Sequence, residues 1–146
     1  MFFELNLSYE KKIIDYLLEQ KVLTIATCKD NQPYCANCFY VFDETTKTLI
    51  FLSDDSTRHI RDAIQNNSVG GSIQNGVTIV SKIQGIQFMG EFISPNETQK
   101  EAFYELFYDK FLFAKVRPSP IWGIQLNWIK MTDNTLGFGK KMLWER

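Results

Sequence analysis

The chain has 146 residues, 45% of them hydrophobic and 23% charged, ordinary globular values that exclude broad disorder and fit a single domain over residues 1–146. Lys and Arg number 16 against 17 Asp and Glu, so the net charge of -1 lacks the basic excess of nucleic-acid binders. No segment approaches the roughly 20 apolar residues of a membrane span, and the start MFFELNLSYEKK lacks the basic-then-apolar order of an export signal, which points to the cytoplasm.

The first predicted element is a helix from about Ser8 to Gln20. Ser8 serves as N-cap, and Tyr9, Ile13, Tyr16 and Leu17 lie on one stripe. Strands follow at Val22 to Thr27, Tyr34 to Phe42 and Thr48 to Ser53, with turns at Asp30–Pro33 and Asp43–Lys47. A short helix runs from about Ser56 to Gln65, and a strand from Val69 to Ile73. Asn75-Gly76 is a turn signal, and Val77 to Ile93 reads as strand material interrupted near Lys82 to Gly85. The longest predicted helix spans Asn96 to about Lys115, with Ala102, Phe103, Leu106 and Phe107 on its apolar side and Pro118 and Pro120 beyond its end. Final strands are expected at Ile121 to Met131 and Lys140 to Trp144. Strands in succession joined by tight turns imply antiparallel pairing, hence an α+β domain with a barrel-like sheet.

The three cysteines, Cys28, Cys35 and Cys38, are an odd number, which favours reduced thiols in an unexported chain. Cys35-Ala36-Asn37-Cys38 has C-x-x-C spacing, but residues three apart on a strand face opposite ways. A redox pair is therefore not expected, and buried structural cysteines are. With Cys28 and His59 the only further ligands, zinc is not expected either. Ser53 to His59 places hydroxyls, a guanidinium and the sole imidazole where a strand ends and a helix begins. Free backbone N–H groups, hydroxyl donors and Arg58 together make a coherent phosphate site. An ordinary helix start, capped by Asp55 or Ser56 with Arg58 in solvent, fits the spacing as well. Lys140-Lys141 falls in a strand where one of the two faces inward and needs an anionic partner; a charged edge strand is the alternative.

Four runs carry a resemblance over nearly the whole chain: Cys35-Ala36-Asn37-Cys38-Phe39-Tyr40, Thr57-Arg58-His59, Gly85-Ile86-Gln87-Phe88-Met89-Gly90-Glu91, and Thr132 to Lys141, TDNTLGFGKK. In them the chain is similar to the pyridoxamine 5'-phosphate oxidase-like FMN-binding split barrels, and within those to the YhbP-like bacterial proteins. The resemblance implies an antiparallel split β-barrel with flanking helices, a homodimer, and FMN at the subunit interface. By position it implies that Thr57, Arg58 and His59 hold the phosphate. Leu52, Ser53, Asn37, Cys38 and Phe39 would line the flavin, and Lys141 would reach in from the second subunit. A Gln that the oxidases use on a central strand falls at Gly85, with Gln84 and Gln87 nearby, and Gln87 is taken as the contact. The phosphate run of the oxidases has Lys where this chain has His59, and their separate Arg-led run along the flavin has its Arg where this chain has Asn37. The substrate-gripping Arg and His of the oxidases fall at Gly137 and Gly139, which argues against pyridoxamine phosphate as substrate. No side chain stands out as a catalytic acid or base. The expectation is an FMN-binding oxidoreductase of unassigned substrate, with a non-enzymatic binder of haem or a flavin precursor as the rival.

Overall fold

The structure, a computed structural model, describes the backbone of residues 2–146 and side chains from Ser8 onward. The elements in order are α1 (Phe2–Glu19), β1 (Val22–Lys29), β2 (Gln32–Asp43), β3 (Thr48–Leu52), α2 (Arg58–Gln65), β4 (Ser68–Gln74), β5 (Gln84–Ile93), α3 (Glu97–Lys110), β6 (Ile121–Asp133) and β7 (Lys141–Glu145). All strand pairs are antiparallel, in the order β3-β2-β1-β4-β5-β6-β7.

Closure comes from the long strand β6. One end of it, Ile121 to Gln125, pairs with β3, while Trp128 to Thr132 pairs with β7. Its other edge pairs with β5 along nearly the full length. The β3–β6 pairing closes the barrel and β7 leaves it as a flap, which is the split. Alternation of side chains along each strand fills the interior with Leu23, Ile25, Tyr40, Phe42, Phe51, Ile73, Ile86 and Leu126, all buried. Helix α1 plugs this core with Ile13, Tyr16 and Leu17 from the predicted stripe, and the Tyr40 hydroxyl donates to Leu17 O at 2.6 Å. A second buried group, Val41, Ile50, Phe103, Phe107, Phe111 and Ile121, seats α3 on the outside of β2, β3 and β6.

The fold class matches the expectation, with corrections at element ends. Helix α1 already runs at Phe2, so Ser8 lies inside it and is not its N-cap. It is also longer than α3, which stops at Lys110 because Phe111 leaves helical geometry; a separate 3-10 turn covers Leu112–Val116. Asn96 caps α3 in a reciprocal capping box with Gln99. Of the four residues on the expected stripe of α3, only Phe103 and Phe107 are buried, since the helix touches the barrel along one narrow line. Val77 to Ile83 forms no strand. Pairing of Gln74 with Gly85 leaves that segment as a loop with one 3-10 turn. Lys140 precedes β7 and Lys141 is exposed, so neither faces inward. Lys141 donates to Thr132 Oγ1 at 2.9 Å and Lys140 lies over the Tyr9 ring. Only Cys38 is buried; Cys28 is partly exposed, Cys35 is exposed, and all three are free.

Candidate functional site

The run after β3 folds around its own polar groups. Asp54 accepts from the Ser56 amide and hydroxyl at 2.9 and 2.7 Å, which holds its carboxyl below the usual range and turns it into the loop. Thr57, not Asp55 or Ser56, is the N-cap of α2, in extended geometry. Its hydroxyl does not cap the helix but donates to Asp54 O at 2.8 Å. The first-turn amides of Arg58, His59 and Ile60 thus have no acceptor among the described residues. Open N–H groups at a helix N-terminus attract an anion.

Arg58 and His59 diverge from that turn. Arg58 is half exposed, stacks over the Tyr34 ring with its guanidinium carbon 4.5 Å from the centroid, and sends Nε to Asp62 Oδ2 at 3.4 Å. His59 turns into the protein. Its Nε2 is 2.8 Å from Ser53 Oγ and 3.9 Å from Cys38 Sγ. Burial pushes the imidazole below its ordinary value, so it is neutral near pH 7, and pushes the Cys38 thiol up to about 11, so it stays protonated. Ser53 is fixed from both sides. Its carbonyl accepts from Trp122 Nε1 at 2.9 Å, and its hydroxyl lies 3.4 Å from Thr57 Oγ1. Trp122 also lines a cleft of about 680 Å³ with Asp55, Tyr104 and Pro120. A larger cleft of about 800 Å³ runs along α3 and is lined by none of the expected site residues.

Thus Cys38, Ser53, Thr57 and His59 meet at one place, with Leu52 next to Ser53 and Arg58 turned away over Tyr34. Asn37 and Phe39 flank Cys38 but point to the outside of β2, where Asn37 Oδ1 accepts from Thr24 at 2.7 Å. Strand register continues that outer row from Asn37 through Thr24, Ser72, Gln87 and Lys130 to Leu143. Gln87 therefore shares a face with Asn37 but stands three strands away, about 14 Å. Lys141 pairs with Thr132, at the opposite end of β6 from the Ile121 that pairs with Leu52. The sequence reasoning missed Asp62, Tyr34 and Trp122. The i,i+4 spacing of Arg58 and Asp62 was a usable signal for the first; the other two depend on contacts between distant segments.

Among known proteins, the chain is 38% identical over 131 residues to the UPF0306 protein YhbP of Salmonella arizonae, covering 90% of this chain and 89% of that one. No family model matches. Two solved structures share the fold. A heme binding protein from Mycobacterium smegmatis has a TM-score of 0.72 at 14% identity over 86% of this chain; this chain spans about half of that one, 53%. A FAD-binding protein from Mesorhizobium loti has a TM-score of 0.66 at 15% identity, covering 82% of this chain and 91% of that one. No helix among the described residues is long and apolar enough to cross a membrane.

Proposed function

We propose that this chain, which belongs to the UPF0306 (YhbP) family, binds FMN at the interface of a homodimer and serves as an oxidoreductase through that flavin. The observation that carries the reading is the open first turn of α2. Three amides without acceptors face a site edged by Thr57 and Arg58, which fits a phosphate. In this reading the flavin ring would extend from that turn past the edge of β2 toward Asn37 and Phe39 on its outer face, where Phe39 packs against Phe111 and Phe113. A fold neighbour named as FAD-binding supports a flavin, and the phosphate site favours FMN over a ligand without phosphate.

The same outer face supports the dimer of this reading. Val22, Phe39, Met89 and Leu143 lie on it by register and are 42%, 49%, 52% and 59% exposed. A second copy laid on this face would cover them, and Lys141, two residues before Leu143 on β7, shares that face. Bound flavin supplies the redox chemistry, and the protein supplies position and charge.

The test is an absorbance spectrum of the purified protein, then parallel titrations with FMN and riboflavin. FMN bound more tightly than riboflavin supports the reading. A Soret band instead supports a haem binder, the second reading raised by the heme-binding fold neighbour. Equal affinity for FMN and riboflavin removes the phosphate site.

A further inference from the structure

His59 is the only imidazole in the chain. Its Nε2 lies 2.8 Å from Ser53 Oγ, and Ser53 Oγ lies 3.4 Å from Thr57 Oγ1 at the mouth of α2. The Thr57 proton is committed to Asp54 O. Ser53 is therefore the hydroxyl there whose direction is still to be set, and the imidazole sets it. With a bare Nε2, the Ser53 O–H donates into the ring and only oxygen lone pairs face a ligand, which opposes an anion. With hydrogen on Nε2, the ring donates to Ser53 Oγ and the Ser53 O–H is released, to the long contact with Thr57 Oγ1 at 3.4 Å or to an anionic ligand oxygen, the stronger acceptor.

We propose that His59 is a positioning residue whose Nε2–H orients the Ser53 hydroxyl toward an anionic oxygen of the ligand, the phosphate of the flavin reading on which this rests. The chain runs from His59 Nε2–H to Ser53 Oγ, and from Ser53 O–H to the ligand oxygen, with no proton transferred. His59 thus serves the phosphate through Ser53 and not as a second cation. The groups around it suit a neutral ring. Cys38 on β2 is a protonated thiol. Arg58 and Asp62 on α2 pair with each other, and Asp54 in the loop is held by Ser56. Strand β1, packed against α2, brings Thr27, Cys28 and Lys29 at its end.

With one His, long-range imidazole ¹⁵N NMR on the full chain reads the tautomer directly. The proposal expects hydrogen on Nε2 in the FMN-loaded protein. Ser53→Ala is expected to weaken FMN about tenfold, the worth of one hydrogen bond to a charged group, and to leave riboflavin unchanged. His59→Gln, which keeps an N–H donor, retains FMN affinity. His59→Leu matches Ser53→Ala and adds nothing to it in the double variant. A δ-protonated ring with FMN bound overturns the proposal alone, as does a His59→Leu variant that loses FMN and riboflavin equally or loses neither. If His59→Leu does not fold, the Gln variant decides: an FMN loss equal to that of Ser53→Ala overturns the proposal. Failure of the native chain to bind FMN, with inorganic phosphate leaving the His59 signals unmoved, overturns the flavin reading and the proposal together.

Discussion

Replacing Arg58 with Ala removes the one constant cation beside the open turn of α2. Truncating one partner of a buried charge pair costs about 2–5 kcal/mol. Arg58 does not meet that condition, since its side chain is 51% exposed and shares its charge with Asp62 at 3.4 Å. Water screening lowers single exposed pairs to about 0.2–1 kcal/mol. A phosphate carries nearly two charges and can take two parallel hydrogen bonds from a guanidinium. The discounted expectation is a loss of about 1–2 kcal/mol, roughly 5–30-fold in Kd for FMN. Riboflavin affinity should not move. Asp62→Asn carries the opposite sign, because it frees Arg58 for the ligand, and FMN should tighten a few-fold. Flavin fluorescence quenching, run with both ligands at low and high salt, reads all three effects. An unchanged ratio of FMN to riboflavin affinity in Arg58→Ala would take Arg58 out of the site.

Three further outcomes test the structure around the site. A Cβ at Gly71 would stand 2.0 Å from Thr24 O and 2.4 Å from Phe88 Cζ; Gly71→Ala should destabilise by about 1–3 kcal/mol or more, seen as a lower melting temperature. His59 has its folded pKa depressed below the ordinary 6.5, so the unfolded chain binds more protons in the window below 6.5. Stability should fall as pH drops through 6.5 toward the folded value, and denaturant titrations of His59→Gln should lack that slope. Cys35 is exposed and Cys38 is a buried, protonated thiol; mass mapping after brief alkylation near pH 7.5 should find Cys35 modified and Cys38 intact, and the reverse order would contradict the packing of β2.

The order of strands across the whole sheet was not readable, but the antiparallel pairing of β1, β2 and β3 was, because they follow one another through short turns. Asp30 and Asn31 both take positive φ there, as a tight hairpin with those residue types does. The closure was not readable. It depends on β6 pairing with β3 over one half and with β7 over the other, and nothing local in Ile121 to Asp133 announces a change of partner. The misread loop after β4 has a similar cause. Asn75-Gly76 signals a turn correctly, with Gly76 at φ +74°, but apolar Val77, Ile79 and Val80 look like strand to a pattern that cannot see the register beyond them. At the site, the clustering of Ser53, Thr57 and Arg58 follows from chain proximity. The inward turn of His59 does not. It is set by a tertiary contact with Cys38, 21 residues earlier on β2, and it reverses what a basic residue after Arg58 would be assumed to do.

That inward turn also separates the two ligands found on this fold. Haem proteins hold iron by His, Cys, Met or Tyr. The only imidazole here is 8% exposed and engaged with Ser53, and the Cys38 thiol beside it is protonated. Haem would have to be ligated by exposed groups such as Cys35 or Met89, which lie on the outer face, in one row but three strands apart by register through Ala26 and Gly70. Flavin asks for none of this. It needs donors for a phosphate, and the first turn of α2 has three amides without an acceptor among the described residues. The two ligands therefore predict opposite sensitivities. A haem complex should survive Arg58→Ala and change its spectrum on Cys35→Ala or Met89→Leu. A flavin complex should weaken with Arg58→Ala and ignore the other two, and a spectrum that follows Cys35 or Met89 would take the ligand away from the first turn of α2.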